Sequence, residues 1–197
     1  MMRALFKRSP LLRRFVRDSE GVASVETILL LPLLMWAYVS TFVFFDAYRV
    51  QTDGLRVAYS VSDSIGRQEN GVNQTFMNSM ERMTNFLTKS PNGITLRTTI
   101  VCWSNNHSKY RVAWSNVTGA KTTILPHTHH TLHAQADRLP VVPFGDQLIL
   151  VEMFLDYRPA INVGIPGQQF EYFVYSRPRF VNQVIWAPDT SLTCPSA

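Results

Sequence analysis

RRFVRDSEGVASVETILLLPLLMWAYVSTFVFFDAYRVQ, residues 13–51, decides how the rest of the chain is read. Between Val22 and Phe45 there are 24 residues with one ionisable side chain, Glu26, near the start. A helix rises ~1.5 Å per residue, so this run reaches roughly 36 Å, enough to cross a hydrocarbon layer of about 30 Å with some tilt. The expectation is a membrane span over 22–45. A carboxylate at the centre of an inserted helix costs about 2.5–3.5 kcal/mol, and less toward the interface. Glu26 therefore needs a partner or a purpose.

The chain has 197 residues and a net charge of +5. That charge is unevenly spread. Residues 1–21 carry Arg3, Lys7, Arg8, Arg13, Arg14 and Arg17 against Asp18 and Glu20, a net of +4, while the remainder has 13 basic and 12 acidic side chains. A near-neutral remainder offers no basic patch for nucleic acid. Positive charge on one flank of the span puts the N-terminus in the cytoplasm and residues 46–197 across the membrane. Wholesale removal as a secretory signal is disfavoured: the apolar run exceeds the usual core of about 7–15 residues, and no small-x-small site precedes Asp46-Ala47-Tyr48.

Around Glu26 the order of residues is specific. Phe15, Arg17, Asp18, Glu20 and Gly21 are followed by the small-residue run Val22–Val25, then Glu26, then Leu31-Pro32-Leu33-Leu34. This resembles a type IV prepilin signal, in particular that of the TadE/TadF minor pseudopilins of tight-adherence (Flp-type) pilus systems. The resemblance implies cleavage between Gly21 and Val22 by a prepilin peptidase, leaving Glu26 as the fifth residue of the mature chain. The new amine on Val22 would then be offset by Glu26 of a neighbouring subunit, so that charge sets the axial register of the assembly. An uncut anchor whose Glu26 snorkels to the interface is the structural alternative. Weaker matches follow at Val112-Ala113-Trp114-Ser115, at Leu148–Tyr157 with Pro159, and at Arg177-Pro178-Arg179. Thr27 departs from the second acid or Tyr of some Flp pilins, and Val22 from the Phe that usually opens type II secretion pseudopilins. Pro32 removes one helix hydrogen bond, which membrane helices tolerate.

Beyond the span, residues 46–68 keep a helical period and become amphipathic, with Tyr48, Leu55, Val57, Val61 and Ile65 as packing positions. After a turn at Glu69-Asn70-Gly71, Phe76, Met80, Met83 and Leu87 mark a second helix over 72–87, ended by Lys89-Ser90-Pro91-Asn92-Gly93. The period then changes to two. Residues 95–103 and 109–115 read as a hairpin around Ser104–His107, with a turn at Asn116–Gly119. Residues 119–140 read as polar and irregular, 147–157 as the strongest strand, and 169–180 as a half-buried one. The expected class is α+β: a long N-terminal transmembrane spine helix plus a second helix packed on an antiparallel sheet, in the pilin manner.

Cys102 and Cys194 both fall on the translocated side. An oxidising periplasm would pair them across 92 residues, stabilising by up to about 4–5 kcal/mol by the chain-entropy argument; two buried thiols are the alternative. His127, His129, His130 and His133 cluster in one segment, but no acid or cysteine lies close in sequence, so a solvated loop is expected there and no metal site. Arg177 and Arg179 read as the flanks of a strand end rather than a partner site. Without Gly-x-Ser-x-Gly, phosphate loop or zinc-protease motif, and with acids scattered, no enzyme and no cofactor are expected.

The resemblance implies a minor pilin or assembly factor with a leader over 1–21, a span over 22–45 and a periplasmic domain over 46–197. Its partners would be the prepilin peptidase, other pilin and pseudopilin subunits, the inner-membrane assembly platform and the bilayer. The competing reading is an uncleaved bitopic protein whose periplasmic domain binds a ligand or metal through the histidine segment.

Overall fold

A computed structural model describes residues 22–90, 92–104, 109–143, 145–189 and 194, with the backbone alone for Val22 and Ala23. The leader with Gly21, the hairpin turn at 105–108 and most of the tail beyond Asp189 lie outside the described residues. The chain divides between Phe45 and Asp46 into two compact units.

One helix, α1 (Val22–Gly66), contributes to both units and runs through Pro32 without interruption. Its first unit is apolar and exposed on nearly every side, and α1 is long and apolar enough to cross a membrane by length and composition. This pattern suggests membrane association.

The second unit is built on a four-stranded antiparallel sheet in the order β2-β1-β3-β4. Its strands are β1 (Ile94–Ser104), β2 (Lys109–Gly119), β3 (Gln147–Tyr157) and β4 (Gln168–Ser176). Successive strand residues face opposite sides, and the sheet is covered on both. One face carries Leu96, Ile100, Ile149, Val151 and Met153 against Val61 and Ile65 of α1 and Met77 of α2 (Gln74–Thr88). The other carries Val101, Leu148 and Leu150 against Leu132, Leu139 and Val142, from the segment between β2 and β3. That segment contains the one-turn helix α3 (His129–His133) and a short 3-10 turn, Ala136–Arg138. Double coverage explains why β3 is buried along nearly its whole length instead of at alternate residues.

The expected α+β class is therefore present, with several local differences. Residues 120–143 are largely irregular in backbone, as expected, but they form the third layer of the domain, packed by Leu132, Leu139 and Val142. The turn expected at Asn116–Gly119 is strand: β2 runs to Gly119, paired with Thr95. Ala113 is the extra residue of a bulge, since Ile100 pairs with Trp114 and Val101 with Val112. On α1, Val57, Val61 and Ile65 are buried as expected, whereas Tyr48 and Leu55 are exposed and Ala58 takes the core position. On α2 the buried line is Met77 and Thr84, flanked by Phe76, Met80 and Met83, and Leu87 is exposed. Asn73 caps α2 by accepting the Phe76 amide at 2.8 Å. On β4, Tyr172 and Val174 are buried and Phe180, past the strand end, is exposed.

Beyond β4, residues 184–187 are bonded to the rest of the second unit. Val184 N–H donates to Gln147 Oε1 at 2.7 Å, and the Trp114 indole donates to the Val184 carbonyl at 2.9 Å. Trp186 pairs with Val72 and lies 5.0 Å, centroid to centroid, from Trp114.

Gly54 shows how closely β4 approaches α1. A methyl group there would collide with the Tyr172 ring and hydroxyl, and the Tyr172 hydroxyl donates to the Val50 carbonyl at 3.3 Å. Glycine is otherwise unfavourable inside a helix by roughly 0.5–1 kcal/mol relative to alanine. Gly54→Ala should therefore destabilise the domain by about 1–3 kcal/mol despite the gain in helix propensity. Urea unfolding of the detergent-solubilised protein checks this: an unchanged or higher midpoint would contradict the close packing.

Candidate functional site

Two regions bear on function, one on each unit. In the first, Val22, the residue directly after Gly21 in sequence, is helical. Glu26 is exposed one turn further on and lines, with Thr27, Leu30, Leu31 and Leu34, a shallow groove of about 580 Å³ along one helix face. None of the ion pairs among the described residues includes Glu26. Glu26 is the one carboxylate on this largely apolar face.

In the second unit, Cys102 of β1 is joined to Cys194 by a disulfide with a Cα–Cα distance of 5.8 Å, as the compartment argument anticipates. The sequence reading misses a buried charge network. Arg97 of β1 and Glu152 of β3 are direct cross-strand partners, and the guanidinium grips the carboxylate with two bonds, Nε to Oε2 and Nη2 to Oε1, each 2.6 Å. His127 Nε2 lies 2.8 Å from the same Oε2, and Nδ1 lies 3.0 Å from Thr131 Oγ1. A carboxylate only accepts, so Nε2 carries the proton of that contact. Glu152 is 0 % exposed and the His127 side chain 2 %. Of the segment expected to be a solvated loop, His129 and His130 are exposed as expected, but His127 is buried. His127 is its anchor, and Arg97 also donates to the Leu125 carbonyl at 3.2 Å.

Further bonds hold the same layer. His127 N–H donates to Ser115 Oγ at 2.9 Å, Val112 N–H to His129 Nδ1 at 3.1 Å, and Lys121 Nζ to Asp156 Oδ1 at 2.6 Å. At the other end, the Tyr110 hydroxyl donates to the Pro140 carbonyl at 3.1 Å, and Arg138 stacks 4.0 Å from the Phe173 centroid.

Burial by itself would raise the Glu152 carboxyl, but the hydrogen bonds from His127 and Arg97 and their charge outweigh it, holding the group below its ordinary value of 4.5. On β4, burial and the nearby Asp53 push the Tyr172 phenol up to about 12. With both oxygens of Glu152 engaged, the carboxylate is committed to structure rather than to proton transfer. Beside the network, Trp114, Trp186, His127 and His129 border a groove of about 530 Å³. Among the described residues no group of three or more His, Cys, Asp or Glu side chains is arranged to hold a metal ion. Arg177 and Arg179 each face an acid, Asp146 at 3.4 Å and Asp63 at 3.3 Å.

Comparison with protein-family models, with curated proteins and with solved structures gave no match.

A carboxyl whose folded-state pKa is depressed stabilises above its unfolded value, and that contribution fades as pH falls through the unfolded value toward the folded one. Acid should therefore loosen the 120–143 layer, starting near pH 4–5. Glu152→Gln should remove this acid dependence and cost about 3–5 kcal/mol at neutral pH, because the Arg97 guanidinium loses its counter-charge. Urea midpoints measured between pH 3 and 7 check both; a variant as stable as the parent with the same acid limb would contradict the role given to Glu152.

Proposed function

We propose that this chain is a minor pilin-like subunit or assembly factor of a tight-adherence pilus. Its basic leader stays in the cytoplasm, residues 22–45 span the inner membrane, and residues 46–197 lie in the periplasm. A prepilin peptidase cuts between Gly21 and Val22. The observation that carries the reading is the sequence Gly21-Val-Ala-Ser-Val-Glu26 at the head of a long apolar helix. The helical path from Val22 to Glu26 supports it, since it would hold an amine on Val22 and the Glu26 carboxylate one turn apart. The exposure of Glu26 supports it too: a side chain open to the helix surface is available to the amine of an adjacent copy. The work of the protein in this reading is subunit association: priming, capping or decorating the filament, or bridging it to the inner-membrane platform.

The second reading, an uncleaved bitopic protein that binds a ligand in its periplasmic domain, draws on the groove between Trp114, Trp186 and His129. Processing separates the two. Mass spectrometry of the protein purified from membranes of cells with an active prepilin peptidase should find a chain starting at Val22, and an intact Met1 would overturn the first reading. Glu26→Ala should leave cutting intact and reduce pilus number; wild-type pilus number in that variant would contradict the charge-register role.

A further inference from the structure

We infer that the end of the second unit where the chain arrives from Phe45 is a lipid-docking surface, formed by Phe86, Lys89 and Arg82 of the α2 end and by Ile161 and Arg158 of the β3–β4 loop. The inference rests on the reading of residues 22–45 as a membrane span.

Three observations bring these residues together at that end. Leu87 and Lys89 line one small cleft of about 300 Å³ with Asp46, Arg49 and Asp53, so the C-terminal end of α2 lies beside the first turns after Phe45. The Tyr157 hydroxyl donates to Asp46 Oδ2 at 3.1 Å, which puts the end of β3 there as well. The loop 158–167 leaves from Tyr157 and returns to it, because Tyr157 pairs with Gln168. Asp53 is eight residues beyond Phe45, about 12 Å along a helix. Whatever the angle between the two units, this end of the domain is held by the chain within reach of the headgroup layer.

The surface has the composition that an interface takes. Phe86 is 80 % exposed, and Leu87 and Ile161 are also open, an unfavourable display in water. Arg82, one turn before Phe86, together with Lys89 and Arg158, is exposed and carries no ion pair among the described residues. The acids at this end are engaged: Asp46 accepts from Tyr157, Asp53 faces Arg49 at 3.6 Å, and Asp156 holds Lys121. Exposed apolar side chains beside unpaired cations suit the boundary of an anionic bilayer, where the rings enter the acyl edge and the cations meet phosphate. At the end of the apolar run Phe42, Phe44 and Phe45 are also exposed.

The test uses the full chain in vesicles of phosphatidylcholine and phosphatidylglycerol, with an environment-sensitive fluorophore on a single introduced cysteine. Ile161→Cys and Phe86→Cys report on the patch. Val141→Cys, exposed next to Val142, which packs against Leu148 at the opposite end of β3, is the domain control, and Leu34→Cys is the span control. Headgroup-level nitroxide lipid should quench emission at 161 and 86 but not at 141, and Arg82→Glu with Lys89→Glu should relieve the quenching at 161. Quenching of Leu34 by acyl-chain nitroxide with none at 161 or 86 would overturn the docking surface and leave the span intact. Equal quenching at 161 and 141 would overturn it too. An unquenched Leu34 would overturn the span and with it the ground for the surface.

Discussion

Glu152 is a charge with no access to water, set in the middle strand of the sheet. Such a group is tolerable only if its lost hydration is replaced in full, and here three N–H donors do so: two from Arg97 and one from His127. Arg97 comes from the neighbouring strand, but His127 comes from the segment that crosses the sheet. The carboxylate is therefore satisfied only when that segment is seated. Seating it in turn closes Val101, Leu148 and Leu150 under Leu132, Leu139 and Val142. One electrostatic requirement and one apolar layer thus enforce the same arrangement, which is how a largely polar segment of the chain comes to be ordered.

The opposite face is organised by shape rather than charge. Gly54 lets the Tyr172 ring lie against the backbone of α1, and Ser62 and Ser176 bond at 2.6 Å across the same contact. The tail segment around Val184 and Trp186 closes this side beside Trp114, and the disulfide to Cys102 ties the chain beyond it to β1. A sheet buried on both faces and tied at its tail makes a rigid body. In the proposed role of subunit association, that rigidity would lower the cost of ordering the surfaces presented to neighbours.

What the sequence showed of this fold follows from periodicity. The apolar run of α1, the spacing of Val57, Val61 and Ile65, and the largely apolar β3 all stand out because many residues repeat one pattern. Tyr48 and Leu55 were misleading for a physical reason: an apolar residue on a helix signals burial only if another element covers that stripe, and here Ala58 and Gly54 face the sheet instead. The third layer was illegible because its apolar residues, Leu132, Leu139 and Val142, follow no helical or strand period. The network was missed because Arg97, His127 and Glu152 lie 30 and 25 residues apart in sequence and meet only through the cross-strand register. The one available signal was an isolated glutamate inside QLILVEMFLDY, a charge in a strand otherwise fit for full burial. Gly21 to Glu26 is a different kind of signal, since its chemistry is local and needs no tertiary context to be read.

Glu152 is satisfied only if residues 120–143 are a seated layer. Hydrogen–deuterium exchange of the full chain in detergent tests this directly. At neutral pH the amides of His127 and Leu132, bonded to Ser115 Oγ and the Thr128 carbonyl, should exchange as slowly as those of β3 and should lose protection in Glu152→Gln. Complete exchange of this segment within seconds, while β3 stays protected, would contradict it.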